Sequence, residues 1–247
     1  MGALNYMDAH GEYEQGVFDL LRATGATRGI VYEIGARIGE HTSQFHSKPT
    51  VGSDFEGVIA WEANMDLYDS LITSVGGYTE AMFGKTMLIK HNASVIERVN
   101  RKEQNVMTVA SIFAQSNRCP SMMKILDGRG ATTLTQSLSV ISACVPTVYI
   151  ENDCLASSAA TIRPLEELGY TLFWHVSPAL SSTESQAGGG GGGDGDFFIG
   201  VLALYEPDHD TMQRIKGFPI APYISGQYVF ADYDLVMIRT PETDRKS

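Results

Sequence analysis

Several features that mark other classes of protein are scarce or missing in this sequence. No run of about 18 apolar residues occurs, so we expect no transmembrane helix. Residues 1–14 are polar and lack the apolar centre of a secretory signal peptide. Lysine and arginine number 18 against 29 acidic residues, which gives a net charge of −11. Because nucleic-acid binding depends largely on basic residues, we expect no nucleic acid as a partner. The lack of a long apolar run leads us to expect no membrane as a partner either.

Cysteine is also scarce, with only Cys119, Cys144 and Cys154 in the chain. An odd number at irregular spacing matches neither a disulfide framework nor a zinc site. The pattern therefore favours a protein of the reducing cytoplasm. No set of acidic, histidine or cysteine residues has a recognisable metal-ligand spacing, so no metal site is predicted, and a metal near the acids at the strand ends stays an open alternative.

Apolar runs of strand length alternate with helical patterns along most of the 247 residues. Several of these runs end in polar residues or glycine, which is typical of buried parallel strands. The pattern predicts a doubly wound, mostly parallel α/β sheet with helices on both faces, and a ligand site outside the carboxyl ends of the strands. The predicted strands lie in segments 29–35, 57–63, 86–93, 121–128, 147–153, 171–176 and 197–206.

The ends of the chain appear as appendages to this domain of residues 29–206. Tyr13, Val17, Leu20 and Leu21 have helical spacing, so we predict an N-terminal helical cap over 1–28. Residues 207–247 form a C-terminal extension with the pattern of an added strand pair. Two internal segments are less regular: the six glycines at 188–193 predict a mobile loop, and "NVMTVASIFAQ" (105–115) is ambiguous between strand and short helix.

The most informative stretch is "GIVYEIGARIGEHT", in which Glu33, Gly35 and Gly39 stand where a strand turns into a helix. Glycines let the backbone approach a ligand and let the new helix approach the sheet. The spacing differs from the Gly-x-Gly-x-x-Gly of dinucleotide enzymes, and the carboxylate of Glu33 would repel a phosphate. Glu62, at the end of the next strand, is placed to accept both hydroxyls of a ribose.

A ligand with an amino-acid end, a ribose and no phosphate fits these residues, and S-adenosylmethionine is such a ligand. Glu33 suits its ammonium group or a hydroxyl, and Glu62 suits its ribose. Ala36 and Ala63 adjoin these motif residues and belong to the predicted cofactor site. His91 and Asn92 end the third predicted strand, where we expect the adenine.

Five segments occur in the order found in FkbM-type methyltransferases, which the chain resembles from about residue 29 to 206. They are "VYEIGARIGEHT", "IAWEAN", "MKILDGRGATTL", "VYIEND" and "LEELGYTLFWHVSPAL". The resemblance implies the seven-stranded class I methyltransferase fold, S-adenosylmethionine as the methyl donor, and O-methylation, often of a sugar or a polyketide hydroxyl.

Carried over by residue, the resemblance places Glu33, Gly35 and Gly39 in the first cofactor motif and makes Glu62 the ribose-binding acid. Asp127 matches the first acid of the family's Asp-x-Glu-Gly-x-Glu segment. Arg129 and Thr132 stand where that segment has its two glutamates, and Glu33 replaces the more common aspartate. These departures affect catalysis and the choice of acceptor more than they affect cofactor binding.

Three residues are the candidates for a general base near the acceptor. Asp127 and Asp153 follow the fourth and fifth predicted strands, although each could instead cap the following helix, as could Asn152. His175 has a better-matched unperturbed pKa, near 6.5, although a lone histidine is more often structural. We predict that Asp127 orients the substrate or cofactor and that His175 takes the proton.

The sequence therefore predicts an S-adenosylmethionine-dependent methyltransferase that acts on a hydroxyl of a sugar, a glycan or another small metabolite. Three alternatives stay open: a catalytically inactive cofactor-binding scaffold, an NAD(P)-dependent oxidoreductase with a Rossmann-type sheet, and a protein or RNA methyltransferase. The substitutions at Arg129 and Thr132 favour the first alternative. The glycine spacing disfavours the second, and the net charge disfavours an RNA substrate.

Overall fold

The computed structural model describes most of the chain between residues 16 and 239. Several predicted features lie outside the described residues, namely Tyr13, His91, Asn92, Asp127, Arg129, Asp153 and the glycine tract at 188–193. The described residues are 16–26, 28–46, 54–75, 86–89, 108–126, 130–152, 155–178, 197–223, 228–232 and 235–239.

In the described part of the chain, eight strands form one sheet. They are β1 (Arg28–Ile34), β2 (Asp54–Trp61), β3 (Thr86–Ile89), β4 (Pro120–Ile125), β5 (Thr147–Glu151), β6 (Tyr170–Pro178), β7 (Phe197–Tyr205) and β8 (Ile220–Pro222). Their order in the sheet is β3-β2-β1-β4-β5-β7-β6-β8. Strands β1 to β5 pair in parallel, whereas β7 is antiparallel to both β5 and β6, and β8 is antiparallel to β6. The predicted doubly wound sheet is confirmed, with β8 as an additional strand.

Helices cover both faces of this sheet, because alternate strand residues are apolar on each side. On one face, α4 (Val109–Ser116), α5 (Gly130–Cys144) and α6 (Leu155–Glu167) pack on the strand side chains. The opposite face carries α1 (16–23), α2 (Glu40–His46), α3 (Met65–Ser74) and α7 (His209–Ile215). Within the described residues, no helix has the length and apolar character to cross a membrane.

The segment that the sequence left open between strand and helix forms α4. The hydroxyl of Thr108 accepts a hydrogen bond from the Ser111 N–H at 3.0 Å, which satisfies one of the donors at the start of the helix. The helix ends at Asn117, whose φ of 50° is in the left-handed region. Local capping therefore decides between helix and strand where the apolar pattern alone does not.

Both appendages pack beside the central domain. Val17, Leu20 and Leu21 of α1 are fully buried in the same core as Ile215 of α7, as the helical spacing of α1 predicts. Strands β9 (Tyr228–Asp232) and β10 (Leu235–Arg239) form the predicted antiparallel pair. Helix α7 and strand β8 were not predicted from the sequence. The domain boundaries at residues 28 and 206 stay predictions.

A disulfide joins Cys119 to Cys144, contrary to the expectation from cysteine number and spacing. Cys119 directly precedes β4, and Cys144 ends α5, which follows β4 in the chain. The helix of a crossover runs back along the sheet, so its last residue returns to the start of the strand, and the two Cα atoms are 5.2 Å apart. Sequence spacing does not reveal this proximity, and such a bond is uncommon in a reducing cytoplasm.

Thiol counting tests the disulfide. Protein purified and denatured without reductant should contain one titratable thiol instead of three. Replacing both bonded cysteines by alanine should lower the free energy of unfolding by about 3 kcal/mol, since the bond closes a loop of 25 residues. Wild type unfolded in the presence of reductant is the control and should match the double variant. Three titratable thiols would contradict the bond.

Candidate functional site

The candidate site lies at the carboxyl ends of β1, β2, β4 and β5. Strand order reverses between β1 and β4, and in doubly wound sheets ligands bind at such a reversal. The strand ends are level, because Ile34 pairs with both Trp61 and Ile125, and Ile125 pairs with Ile150. The residues that follow these four positions therefore form one rim.

Glu62 connects two loops on this rim. Its Oε2 accepts a hydrogen bond from the Arg37 N–H at 2.8 Å, and its Oε1 accepts one from the Asn64 N–H at 2.7 Å. Glu62 is buried, and Asn64 then caps α3 by accepting bonds from two N–H groups of its first turn. The carboxylate of Glu62 therefore fixes the loop after β1 against the loop after β2.

The N–H groups that follow β1 are already used inside the protein. Those of Gly35 and Ala36 donate to the Trp61 carbonyl at 2.9 and 3.0 Å, and that of Arg37 donates to Glu62. Gly35 has a φ of 78°, a conformation that glycine adopts without strain. This loop therefore does not direct these three donors toward a phosphate, unlike the glycine-rich turn of a dinucleotide site.

Gly39 allows a helix–helix contact, where we had expected a helix–sheet contact. Its φ is 87°, and a Cβ atom there would collide with the side chains of Leu71 and Ser74 on α3. The predicted need for a glycine is met, but the partner is α3 instead of the sheet. Only a residue without a side chain lets the start of α2 lie this close to α3.

Glu33 lies beneath the rim and is fully buried. Its Oε1 forms an ion pair with the Lys124 Nζ at 2.9 Å, and its Oε2 accepts a hydrogen bond from the Thr42 hydroxyl at 2.6 Å. The ring Nδ1 of His41, which is also buried, is 4.0 Å from Oε1. Both oxygens thus have protein partners, so the expected direct contact with an ammonium group has no support in this arrangement.

Lys124, the partner of Glu33, was not among the residues predicted from the sequence. It lies on β4 directly beside Glu33 in the parallel register and is 3% exposed. A lysine within the apolar run "SMMKIL" was the available signal, because a buried lysine needs a countercharge. Their sequence separation of 91 hid the contact.

A second missed pair lies on the rim itself. The guanidinium of Arg37 is 3.7 Å from Oε1 of Glu151, and their side chains are 21% and 14% exposed. Arg37 follows β1 and Glu151 ends β5, so the pair extends across the end of β4. Arg37 also has a φ of 54°, which is uncommon for a residue with a side chain.

Other predicted residues are placed less directly, and those outside the described residues keep their predicted roles. Ala63 is exposed beside Glu62. Asn152 is buried at the end of β5, where its amide donates to the Ser158 hydroxyl at 2.9 Å and its Oδ1 has no hydrogen-bond partner among the described residues. That contact links β5 to α6 but is not a helix cap, in which the side-chain oxygen accepts from a backbone N–H, so the capping alternative stays a prediction. The described residues include no group of three or more metal-ligating side chains.

His175 lies away from the rim, on the sheet face within β6. It is 1% exposed, and its Nδ1 is 2.8 Å from the Tyr149 hydroxyl. Tyr149 reaches it across Gly200 of β7, where a Cβ atom would collide with the tyrosine ring. Burial lowers the pKa of His175 to about 4. Burial keeps the ring away from solvent and weakens it as a base, so His175, which is bonded to a tyrosine, is poorly placed to act as a general base.

The buried ion pair gives a test based on stability. Lys124→Met should lower the free energy of unfolding by about 3–5 kcal/mol, because it leaves the Glu33 carboxylate buried without a countercharge. Adding Glu33→Gln removes that charge and retains an acceptor for Thr42, so the double variant should recover much of the loss. Urea denaturation measures both. Additive losses from the two substitutions would contradict the pair.

The pKa of His175 gives a test based on pH. Between pH 4 and 6.5, the His175 ring binds more protons in the unfolded chain than in the folded protein. The stabilising effect of the neutral ring is therefore complete above pH 6.5 and is lost as the pH falls. Over that window, stability should fall up to about 1.4 kcal/mol per pH unit more steeply in wild type than in His175→Gln. Equal slopes in wild type and His175→Gln would contradict the burial effect.

Comparisons with known proteins extend the fold assignment. No family model and no curated protein matches the sequence. Among solved structures, precorrin 8W decarboxylase of Methanobacterium thermoautotrophicum has a TM-score of 0.52 at 9% identity, covering 77% of this chain and 89% of its own. Precorrin-6y C5,15-methyltransferase of Geobacter metallireducens has a TM-score of 0.49 at 10% identity, covering 78% and 88%.

The FkbM methyltransferase of Methylobacillus flagellatus has a TM-score of 0.40 at 15% identity, covering 70% of this chain and 43% of its own. That likeness is too low to support an FkbM-type assignment. The strand order and the likeness at a TM-score of 0.52 together establish the fold alone. The chain has the class I methyltransferase fold, as the sequence predicts.

Proposed function

We propose that this protein is an S-adenosylmethionine-dependent methyltransferase that methylates a hydroxyl group on a sugar, a glycan or another small metabolite. The observation that carries the proposal is the geometry of Glu62. Its carboxylate stands at the end of β2, beside the reversal in strand order, and is fixed by one backbone N–H on each oxygen.

A carboxylate has about four acceptor positions, so two remain on Glu62 after the two N–H groups are counted. The two neighbouring hydroxyls of a ribose are donors that match these positions. Hydrogen bonds to a charged acceptor contribute about 1.5–3 kcal/mol each, enough to select a ribose over a ligand that lacks these hydroxyls. Because the carboxylate is already oriented, little ordering is needed when the ligand binds.

The same loop disfavours the NAD(P)-dependent alternative. A pyrophosphate needs backbone N–H groups directed at it, whereas those of Gly35, Ala36 and Arg37 have partners within the protein. Glu62 does not separate the two cofactors, because an acid at the end of the second strand also binds the ribose of NAD. The backbone N–H groups with internal partners alone favour a cofactor without phosphate.

When bound, S-adenosylmethionine supplies the electrophilic methyl group, so the protein has to position an acceptor and remove its proton. Asp127 keeps its predicted orienting role, since Leu126 donates to the Ile34 carbonyl at 2.8 Å and so places the end of β4 beside β1. Asp153, one residue beyond Asn152, remains the predicted alternative base. We no longer propose His175 for this step because of its burial.

The acceptor and the site of action stay inferences from composition. A net charge of −11 disfavours RNA and favours a small neutral acceptor. A cytoplasmic site of action is a prediction that the disulfide weakens.

Calorimetry with S-adenosylhomocysteine, the product form of the donor, tests the proposal. We expect binding at micromolar affinity or tighter, about 8 kcal/mol. Glu62→Gln should weaken binding about tenfold or more, because the amide loses charge and acceptor positions. Asp69→Asn, the same change at an exposed acid on α3, should bind like wild type. No binding to wild type would refute the proposal, whereas tighter binding of NADH would favour the oxidoreductase.

Turnover separates an enzyme from an inactive scaffold. Incubation with radiolabelled S-adenosylmethionine and fractionated acceptors, including glycans, should label a hydroxyl-bearing product. Thr132 on α5 and Arg129, where the FkbM pattern has glutamates, are the features that favour the scaffold. Binding of the donor without labelling of any acceptor would support that alternative.

A further inference from the structure

We propose that Arg37 and Glu151 together bind the amino-acid end of the methyl donor, in place of Glu33. This inference rests on the proposed function and adds to it a subsite for a zwitterion. Arg37 would bind the carboxylate, and Glu151 would bind the ammonium group. The two side chains pair across the end of β4 at 3.7 Å.

Both carboxylate oxygens of Glu33 already have protein partners. The carboxylate has no exposed surface, and its charge is balanced by Lys124 at 2.9 Å. An ammonium group would have to displace Lys124 or Thr42 from a closed interior, and it would leave a buried lysine without a countercharge. Breaking a buried pair in this way is strongly unfavourable.

The position of Arg37 also favours this subsite for the amino-acid end of the donor. Its backbone N–H is bonded to Glu62, the proposed ribose acid, so its position is fixed relative to the nucleoside end of the site. Its side chain extends toward β5 and therefore crosses the end of β4, the strand next to β1. The amino-acid end of a donor whose ribose lies on Glu62 would extend from β2 across β1 toward this pair.

The geometry of the Arg37–Glu151 pair favours the same subsite. At 3.7 Å the pair is longer than a charge-assisted hydrogen bond, which measures about 2.7–2.9 Å. Both side chains keep some exposed surface, so a ligand can reach each of them. A guanidinium presents a fork of donors that matches a carboxylate, and a carboxylate accepts from an ammonium group. A zwitterion inserted between them would satisfy both charges.

The experiment compares two ligands that differ only at the amino-acid end. S-adenosylhomocysteine carries it, whereas 5′-methylthioadenosine has the same adenosine and thioether and lacks it. Calorimetry would measure both ligands against wild type, Arg37→Met and Glu151→Gln. Arg118→Met is the matched control, because Arg118 pairs with Glu56 in a more exposed ion pair next to the start of β4.

We expect wild type to bind S-adenosylhomocysteine about tenfold or more tightly than methylthioadenosine. Arg37→Met and Glu151→Gln should each remove most of this preference by weakening only the first ligand, whereas Arg118→Met should keep it. A defect in folding or in the nucleoside site would weaken both ligands together, as Glu62→Gln should.

The outcomes separate the two proposals. Equal affinity of wild type for both ligands, or equal losses for both ligands in the variants, would overturn the zwitterion subsite and leave donor binding intact. A preference that survives only in Glu151→Gln would overturn the role of Glu151. Binding of neither ligand to wild type would overturn the proposed function and the subsite together.

Discussion

The hydrogen bonds to the Glu62 carboxylate hold together the part of the molecule on which its proposed chemistry depends. One carboxylate accepts backbone N–H groups from the loops after β1 and β2, and so reinforces the bonds that Gly35 and Ala36 make to the Trp61 carbonyl. From that point Asn64 starts α3, and Arg37 is directed toward β5. The rim is therefore set by contacts between its own loops.

Beneath the rim, a row of buried polar side chains crosses the same sheet face. Glu33 lies beside Lys124, Lys124 lies in register with Tyr149, and Tyr149 reaches His175 across the glycine of β7. The groups of this row that most resemble catalytic residues by type have little access to solvent. The accessible charges are those of Arg37 and Glu151, one level higher. Access, more than residue type, separates the structural acids from the proposed ligand-binding ones.

The sequence predicts the layers of the fold well, because apolar periodicity and polar strand ends are local signals. Gly35, Gly39 and Glu62 were also predicted from local pattern. Gly35 and Glu62 lie on the rim, whereas Gly39 packs against α3. The errors concern contacts between residues distant in sequence. Lys124 changes the surroundings of Glu33 from β4, Cys144 returns to Cys119 at the end of a crossover, and Tyr149 and Gly200 enclose His175. Such contacts depend on strand order and register, which a single sequence does not encode locally.

A crystal structure of the protein with S-adenosylhomocysteine would show whether the donor binds on this rim. We expect the ribose hydroxyls on Glu62, the amino-acid end between Arg37 and Glu151, and the Glu33–Lys124 pair unchanged below. A ligand whose ammonium contacts Glu33, or one bound away from the ends of β1, β2 and β4, would contradict it.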